Sequence, residues 1–462
     1  MGKFSYFQET SQNPMTATTL AVPVAQSERF FTLDMIRGIA VLGILLMNMP
    51  IFSTPESIAF DPSVLNEMGT INYRIWYAVT WIFDGTQRAL FSLLFGAGIV
   101  LFVSRLEKKF NGLAPADYFF RRQLWLILFS LIDVYILLWN GDILLDYACY
   151  GMLLFVFRNL SPRALIVAAV MCSLLMTARE NRNLYHTKSM IEKGEAIVAT
   201  DTSVTKLTFL QKEALNGMQE LKSRSAPEAK LKQAKEDIEK MTGSFASMYE
   251  ARTSSYANGL VKFIYFSLWD VLTFMLLGMA FFKLGILTGT VRTHVYTWMC
   301  VVGLGVGLIL SWLQIEFAIA NRFNSYDILK NLPFSFHELA RTPRAIGILG
   351  LIMLLYKSNL LKWIFAAMRP VGQMAFTNYL MQSLICGVLF NAYGFKLYGQ
   401  LERYETYLVV LYIWIFQVIF SNVWMRYFLF GPFEWAWRSL TYWKRQPFVR
   451  GRERSVDVLA PS

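Results

Sequence analysis

Long apolar stretches separated by short polar connections run along most of the chain. A helix of about 20 apolar residues crosses a bilayer, and hydropathy read together with helix breakers predicts about ten such spans. The predicted spans are 38–54, 76–104, 122–139, 143–158, 163–179, 260–283, 293–320, 343–357, 372–392 and 405–425. The predicted fold class is therefore all-α: a polytopic membrane protein of about ten transmembrane helices with a helical extracytoplasmic insertion.

The second predicted span is too long for one simple crossing. Asp84, Gly85 and Arg88 interrupt its interior. Irregular backbone at membrane depth is tolerated only where it faces protein or water. We therefore expect a broken or re-entrant segment there.

The hydropathy pattern divides the chain into five regions. Within the third region, one helix is predicted over Lys206–Leu221, and a second begins with Ser225, Pro227 and Glu228 and continues to Met241. The regions are a disordered cytoplasmic tail (1–28), an N-terminal membrane half (29–179), a periplasmic helical hairpin (180–258), a C-terminal membrane half (259–442) and a basic cytoplasmic tail (443–462).

Composition and charge support a membrane location. The chain is 55% hydrophobic, above the usual range of soluble domains. Its net charge of +12 would suit nucleic acid, but the basic residues mostly flank apolar runs, as the positive-inside rule describes. We therefore expect contact with membrane lipids, no nucleic acid, and a multipass protein of the bacterial inner membrane with both termini in the cytoplasm. The loop with Lys330, Arg341 and Arg344 is an exception, because it falls outside.

Three polar clusters lie in or beside the predicted spans. Asp34 and Arg37 are three residues apart and can pair on one helix face. That pair either orients the helix end or leaves Arg37 to bind an anionic group with its planar fork. Asn48 lies deeper in the same apolar run.

The second and third clusters follow later in the N-terminal half. Asp84 and Arg88 have the spacing of a helical ion pair, and Gly96 and Gly98 permit close helix approach. Asp142 lies in an Asn-Gly-Asp turn, which is either an ordinary connector or the start of a polar face that continues through Asp146 and Tyr150.

The remaining chemistry-bearing residues are few. His337, among Glu338, Arg341 and Arg344, is the one histidine considered as a general base. Gln373, Thr377, Asn378 and Gln382 form a polar stripe that either lines a site or bonds to another helix. The four cysteines are isolated in apolar segments, and no spacing supports a metal site.

These residues resemble the YeiB-like family of bacterial multipass membrane proteins. The stretches that carry the resemblance are LDMIRGIAVLGILLMNM (33–49), DGTQRALFSLLFGAG (84–98), WNGDILLDYACYG (139–151), LWDVLTFMLLGMAFFKLGIL (268–287), GQMAFTNYLMQS (372–383) and GPFEWAWRSLTY (431–442). That family is similar to the transmembrane acyltransferases, which include the acyltransferase-3 proteins and the heparan-glucosaminide acetyltransferase. The shared opening is Leu33, Asp34, Arg37 and Gly38. Acyltransferase-3 proteins have a histidine where this chain has Asn48, and an amide cannot serve as a general base.

The resemblance implies transfer of an acyl group, acetyl in the simplest case, from cytoplasmic acyl-CoA to an extracytoplasmic small-molecule or glycan acceptor. Asp34 and Arg37 would bind the donor, while Asn48 with Asp84 or Asp142 would position the acceptor. Arg88 would stabilise developing negative charge. The alternatives are a transporter or a lipid or small-metabolite binding protein, and a structural subunit. The sequence leaves a homo-oligomer open.

Overall fold

The computed structural model describes residues 30–199 and 207–450, apart from the side chains of residues 255, 258 and 260–266. The predicted tail 1–28 and the end of the basic tail, 451–462, lie outside the described residues. Within the described ranges the fold is all-α, as predicted, and one isolated antiparallel bridge joins Phe428 to Val449.

The helices of the N-terminal half match the predicted apolar runs with shifted boundaries. They are α1 (Phe31–Ser53), α2 (Glu56–Ala59), α3 (Ile71–Phe83), α4 (Thr86–Lys109), α5 (Ala114–Tyr135), α6 (Leu144–Leu154) and α7 (Pro162–Ala199). A short 3₁₀ turn, Phe155–Asn159, follows α6.

Two shorter helices come next, followed by the helices of the C-terminal half. They are α8 (Phe209–Ser225), α9 (Pro227–Thr242), α10 (Phe245–Lys283), α11 (Thr293–Ala320), α12 (Ser325–Asn331), α13 (His337–Ser358), α14 (Lys362–Gln373), α15 (Ala375–Phe390), α16 (Arg403–Tyr427) and α17 (Pro432–Tyr442).

Among the described residues, six segments are long and apolar enough to cross a membrane. They are α1, the α3–α4 segment, α7, α11, α13 and α16. The predicted count of about ten is not confirmed. Two of the predicted spans correspond to helices that are shorter than the roughly 20 residues needed to cross a bilayer. These are α6, with 11 residues, and α15, with 16.

The long second span is broken, as predicted. Asp84 ends α3, and Gly85 precedes α4 with φ +69°. Glycine adopts this left-handed backbone conformation without the steric cost that a Cβ would add. The guanidinium of Arg344, on α13, donates hydrogen bonds to the carbonyl oxygens of Trp81 and Asp84. These carbonyl groups at the C-terminal end of α3 therefore have hydrogen-bond partners inside the protein.

The two helices predicted in region 180–258 are α8 and α9, and they pack against the rest of the fold. The Lys230 ammonium of α9 lies 2.6 Å from the Asp61 carboxylate, which follows α2. The Ser225 hydroxyl accepts a hydrogen bond of 3.1 Å from the Tyr326 amide on α12. The start of the segment continues α7 without a break, and its end belongs to α10.

Small residues bring α4 and α10 into backbone contact. A Cβ placed on Gly96 would overlap the Met275 carbonyl, and one on Gly278 would overlap the Leu93 carbonyl. The predicted close approach is therefore confirmed at Gly96. It is wrong at Gly98, where an added Cβ would meet open space.

The polar stripe on α15 makes interhelical hydrogen bonds. The Gln382 side-chain amide donates to the Gln417 side-chain oxygen of α16 at 3.0 Å and to the Val41 carbonyl of α1 at 3.1 Å. The Asn378 amide donates to the Ser421 hydroxyl, also at 3.0 Å. Of the two alternatives for this stripe, bonding to other helices applies to these two residues.

Candidate functional site

An open cavity of about 240 Å³ lies at the N-terminal end of α1, and we call it the arginine cavity. Its walls come from α1, α4, α5, α6, α14, α15 and α17, and aromatic and aliphatic side chains such as Phe91, Leu94 and Phe376 form much of them. Four arginines line it: Arg37, Arg105, Arg122 and Arg438.

The predicted pair at the start of α1 forms part of this cavity. The Arg37 guanidinium lies 3.0 Å from the Asp34 carboxylate, and the Gln373 side-chain amide donates to the other Asp34 oxygen at 3.2 Å. The Arg37 side chain is 30% exposed. The predicted pairing is confirmed, and Arg37 keeps surface that a ligand can reach.

Arg122 contributes positive charge without a carboxylate partner among the described residues. Its guanidinium carbon lies 3.7 Å from the centroid of the Trp437 ring and 4.8 Å from that of Phe102. A guanidinium stacked on aromatic faces keeps its N–H donors free at the edges. Arg122 is therefore arranged to bind an anion in the cavity.

Glu434, the second acidic residue of the arginine cavity, is engaged with the backbone. Its carboxylate accepts hydrogen bonds from the amides of Phe376, at 2.7 Å, and Thr377, at 3.0 Å, in the first turn of α15. Burial raises the pKa of this carboxyl, while the hydrogen bonds from Thr377 and Phe376 oppose that shift. Glu434 serves as a helix-terminal anion, and the four arginines of the cavity outnumber its two carboxylates.

A second, larger cavity of about 940 Å³ lies at the other end of α1, and we call it the His337 cavity. Glu56 and Ser57, just past α1, line one side, and Lys230 of α9 lines another. His337, at the start of α13, and Asp84, at the break between α3 and α4, face it together. Since the 23 residues of α1 extend about 34 Å, the two cavities lie near opposite ends of a helix long enough to cross a membrane.

Four charged residues form an ion-pair network between the cavities, in which Asp270, Arg341 and Glu338 are buried and Arg88 is 32% exposed. Arg88 of α4 pairs with Asp270 of α10, Asp270 pairs with Arg341 of α13, and Arg341 pairs with Glu338. The backbone carbonyl of Arg88 accepts a hydrogen bond from the Tyr147 hydroxyl, whose ring lines the arginine cavity. On the other side, Glu338 follows His337 directly.

The predicted ion pair between Asp84 and Arg88 is wrong. Arg88 pairs with Asp270 instead, and Asp84 lies 3.9 Å from the His337 imidazole. The spacing of four residues implies a shared face only on a continuous helix, and the left-handed turn at Gly85 breaks that helix.

Asp142 and Asn48 join neither cavity. Asp142 is buried and accepts hydrogen bonds from the Leu144 and Leu145 amides at the start of α6, at 3.1 and 3.3 Å, and from the Tyr379 hydroxyl at 3.2 Å. Its position supports the connector interpretation. Asn48 is partly exposed on α1 and lines neither cavity, so it does not meet Asp84 or Asp142 at a common site.

The sequence pattern does not indicate the roles of three charged residues. Asp133 of α5 is fully buried beside Asp142, and the roles of Arg122 and Asp270 were not foreseen. Arg341 and Arg344 were assigned to an external loop, but both are buried in α13. They therefore do not count against the predicted orientation.

The comparisons with known proteins agree with the sequence resemblance. Residues 281–444 match the family described as "Protein of unknown function (DUF418)". The uncharacterized protein YxaH of Bacillus subtilis (strain 168) is 27% identical over 451 residues, which cover 93% of this chain and 98% of that protein. The uncharacterized protein YeiB of Escherichia coli (strain K12) is 27% identical over 429 residues, covering 92% and 100%.

A more distant relative has the same extent. An uncharacterized 39.9 kDa protein of Bacillus acidopullulyticus is 23% identical over 442 residues, which cover 93% of this chain and 99% of the relative. No solved structure matches the chain. The chain is thus similar along nearly its whole length to YxaH and YeiB, and its C-terminal half contains a region that matches the DUF418 family.

Proposed function

We propose that this membrane protein transfers an acyl group, acetyl in the simplest case, from cytoplasmic acyl-CoA to an acceptor on the opposite side of the inner membrane. The observation that carries the proposal is the arginine cavity, in which four arginines face two carboxylates that already have partners. Acyl-CoA is an anion with a long, less polar arm. A basic rim above an apolar wall has the matching chemistry.

Arg37 and Arg122 are the residues we assign to the donor phosphates. Both line the arginine cavity, and guanidinium groups bind phosphate oxygens in bidentate fashion. Phe91 and Leu94 would contact the pantetheine arm. The proposal includes cytoplasmic N- and C-termini, so that the cavity opens on the side where acyl-CoA is present.

The second cavity at the far end of α1 also supports transfer. A donor and an acceptor that come from opposite sides need separate entrances that meet where the acyl group is transferred. The network of Arg88, Asp270, Arg341 and Glu338 connects elements that line the two cavities, since Tyr147 bonds to Arg88 and Glu338 follows His337.

Titration of acetyl-CoA against purified protein in nanodiscs tests the donor site. Arg122→Met removes the free guanidinium and should weaken binding at least about tenfold, since a hydrogen bond to a charged group contributes about 1.5–3 kcal/mol. Arg121→Met is the matched control, because Arg121 pairs with the half-exposed Asp117 and lies outside the cavity lining. Equal dissociation constants for the wild type and Arg122→Met would remove the donor site from the proposal.

The apolar wall of the same cavity favours one second candidate, a non-enzymatic protein that binds an anionic lipid. Phe91, Phe95 and Leu126 would contact acyl chains, with Arg37 and Arg122 at the headgroup. Competition separates the two functions. Displacement by phosphatidylglycerol of a probe bound in the arginine cavity would support the lipid-binding function. Acyl transfer is contradicted if acetyl-CoA also neither binds nor gives transfer of radiolabelled acetyl.

A further inference from the structure

We propose that the His337 cavity is the acceptor site: it binds a neutral, polyhydroxylated molecule and presents one of its hydroxyl groups to the His337 imidazole. The binding part stands on the cavity alone. The catalytic part rests on the proposed acyl transfer. Three features carry the proposal, namely the size of the cavity, its balance of charge and the position of His337 beside Asp84.

The cavity has room for a small-molecule ligand with several hydroxyl groups. Its volume of about 940 Å³ lies in the range of about 300–1,000 Å³ that is typical of ligand sites. Phe60, which is 46% exposed, and Trp76 supply apolar surface. Gln233 and Gln314 supply amides, each of which donates and accepts hydrogen bonds as a hydroxyl ligand requires.

The charges that line the cavity balance, in contrast to those of the arginine cavity. Three are acidic and three are basic, His337 aside: Glu56, Asp61, Asp84, Arg224, Lys230 and Arg344. Some of these charges already have protein partners, since Lys230 pairs with Asp61 and Arg344 holds the end of α3. A balanced, largely satisfied lining favours a neutral polar ligand over a phosphate or a carboxylate.

His337 is the group in this cavity that can accept a proton from a hydroxyl near neutral pH. Its Nδ1 lies 3.9 Å from the Asp84 carboxylate, and the two side chains are 41% and 40% exposed. At this distance the Asp84 carboxylate can stabilise by its charge the imidazolium that forms on proton transfer. We therefore assign His337 as the base and Asp84 as the residue that stabilises its charged form.

The reaction balances with these groups alone. The acceptor oxygen forms a bond to the thioester carbonyl carbon as its proton moves to the His337 imidazole. The tetrahedral intermediate then collapses, the C–S bond breaks, and CoA leaves as the thiolate. The imidazolium returns the proton, either to the thiolate or to water, so the products are an acyl ester and free CoA.

Saturation-transfer difference NMR on the full chain in nanodiscs tests the binding part. The probes are methyl β-D-glucoside, glycerol and, as the anionic counterpart, glucose 6-phosphate. We expect saturable signals from the two neutral probes and weaker signals from the phosphate. Gln314→Phe, which fills the cavity, should abolish them, whereas Leu313→Phe at the exposed neighbouring position should not. Stronger binding of glucose 6-phosphate, or signals that survive Gln314→Phe, would overturn the assignment.

Transfer of radiolabelled acetyl from acetyl-CoA to methyl β-D-glucoside tests the catalytic part. His337→Gln should lower kcat at least about 100-fold, as expected for loss of a general base, while acetyl-CoA binding and glucoside signals stay within about twofold. Asp84→Asn should lower kcat less and leave KM for the glucoside unchanged. Unchanged kcat in His337→Gln would overturn the role of His337. If glucoside binds but acetyl-CoA does not, the acyl-transfer function fails while the cavity assignment stands.

Discussion

Asp270 is the charged residue on which the ion-pair network depends, because it pairs with both Arg88 and Arg341. It is 2% exposed, and Arg341 is equally buried. Charges taken out of water are stabilised only by their partners, and removal of one partner leaves the other uncompensated. Substitution of one residue of this network should therefore lower the stability of the fold more than substitution in an exposed ion pair does.

Asp270→Asn should destabilise the protein by about 3–5 kcal/mol, because it leaves two arginines without their shared carboxylate. The change in stability is measured in nanodiscs or mild detergent, by following unfolding as the temperature or the denaturant concentration is raised. Asp117→Asn is the control, since Asp117 is 58% exposed in its pair with Arg121 and exposed pairs contribute little. Equal stability of the two variants would show that the buried pairs do not hold α4, α10 and α13 together.

Local spacing predicted some of these residues and not others. The pairing of Asp34 with Arg37 follows from a spacing of three on an unbroken helix, and the structure has it. The pairing of Arg88 with Asp270 joins residues far apart in sequence, so no local pattern indicates it. His337 was noticed for its charged neighbours, but its proximity to Asp84 depends on how α13 packs beside the break after α3.

At the scale of elements, two glycines of α4 differ sharply in what surrounds them. Gly96 lies against the Met275 carbonyl of α10, whereas Gly98, half a turn on, faces open space. Gly96→Ala should therefore push α4 away from α10 and destabilise the fold by about 1–3 kcal/mol. Gly98→Ala should leave the free energy of unfolding unchanged or raise it slightly. Thermal unfolding of the pair measures the contrast, and equal losses would contradict the close contact.

The contact between α9 and the α2 region gives a second prediction for an element. Lys230 pairs with Asp61 at 2.6 Å, with side chains only 12% and 10% exposed, and it also donates to the Phe323 carbonyl. Lys230→Met should loosen α9, so its backbone amides should exchange with deuterium faster.

Lys235→Met on the same helix removes the same charge from an exposed position and serves as the control. Faster exchange in both variants would mean that the overall charge of α9, and not its contact with Asp61, holds it in place. Faster exchange in neither would mean that the pair contributes nothing to this contact.

Element boundaries could be predicted where helix signals are strong. The hydropathy window 293–320 coincides with α11, and Pro227 at the first position of α9 is a typical start. The extension of α7 to Ala199 was not predicted, because its second half is polar and leaves the hydropathy window. Hydropathy identifies apolar segments, and it does not predict whether a helix continues into a polar segment beyond them.

At the scale of the whole molecule, the orientation in the membrane is open to direct measurement. We expect a green fluorescent protein fusion after Lys444 to fluoresce and an alkaline phosphatase insertion at Ala226, between α8 and α9, to be active. Both follow from basic residues flanking the apolar runs on the cytoplasmic side. Phosphatase activity from the fusion after Lys444 would reverse the orientation and place the arginine cavity outside.

The cavities themselves could not be predicted from the sequence. The arginine cavity combines residues from Phe30 to Tyr442, and the His337 cavity those from Glu56 to Arg344. Residues so far apart meet only after the helices pack. The sequence did indicate the membrane class, the break near Asp84 and the pairing of Arg37 with Asp34. It could not indicate that Asn48 and Asp142 lie apart from both cavities.

The presence of a cavity at each end of α1 has an electrical consequence. With an open cavity at each end of α1, ions in solution carry the voltage of each side inward. In a membrane, part of the field would then fall across the region between the cavities, where Arg88, Asp270 and Arg341 lie. Moving one elementary charge through 100 mV involves about 2.3 kcal/mol. A charge that moved between the two cavities would therefore gain or lose free energy with the membrane voltage.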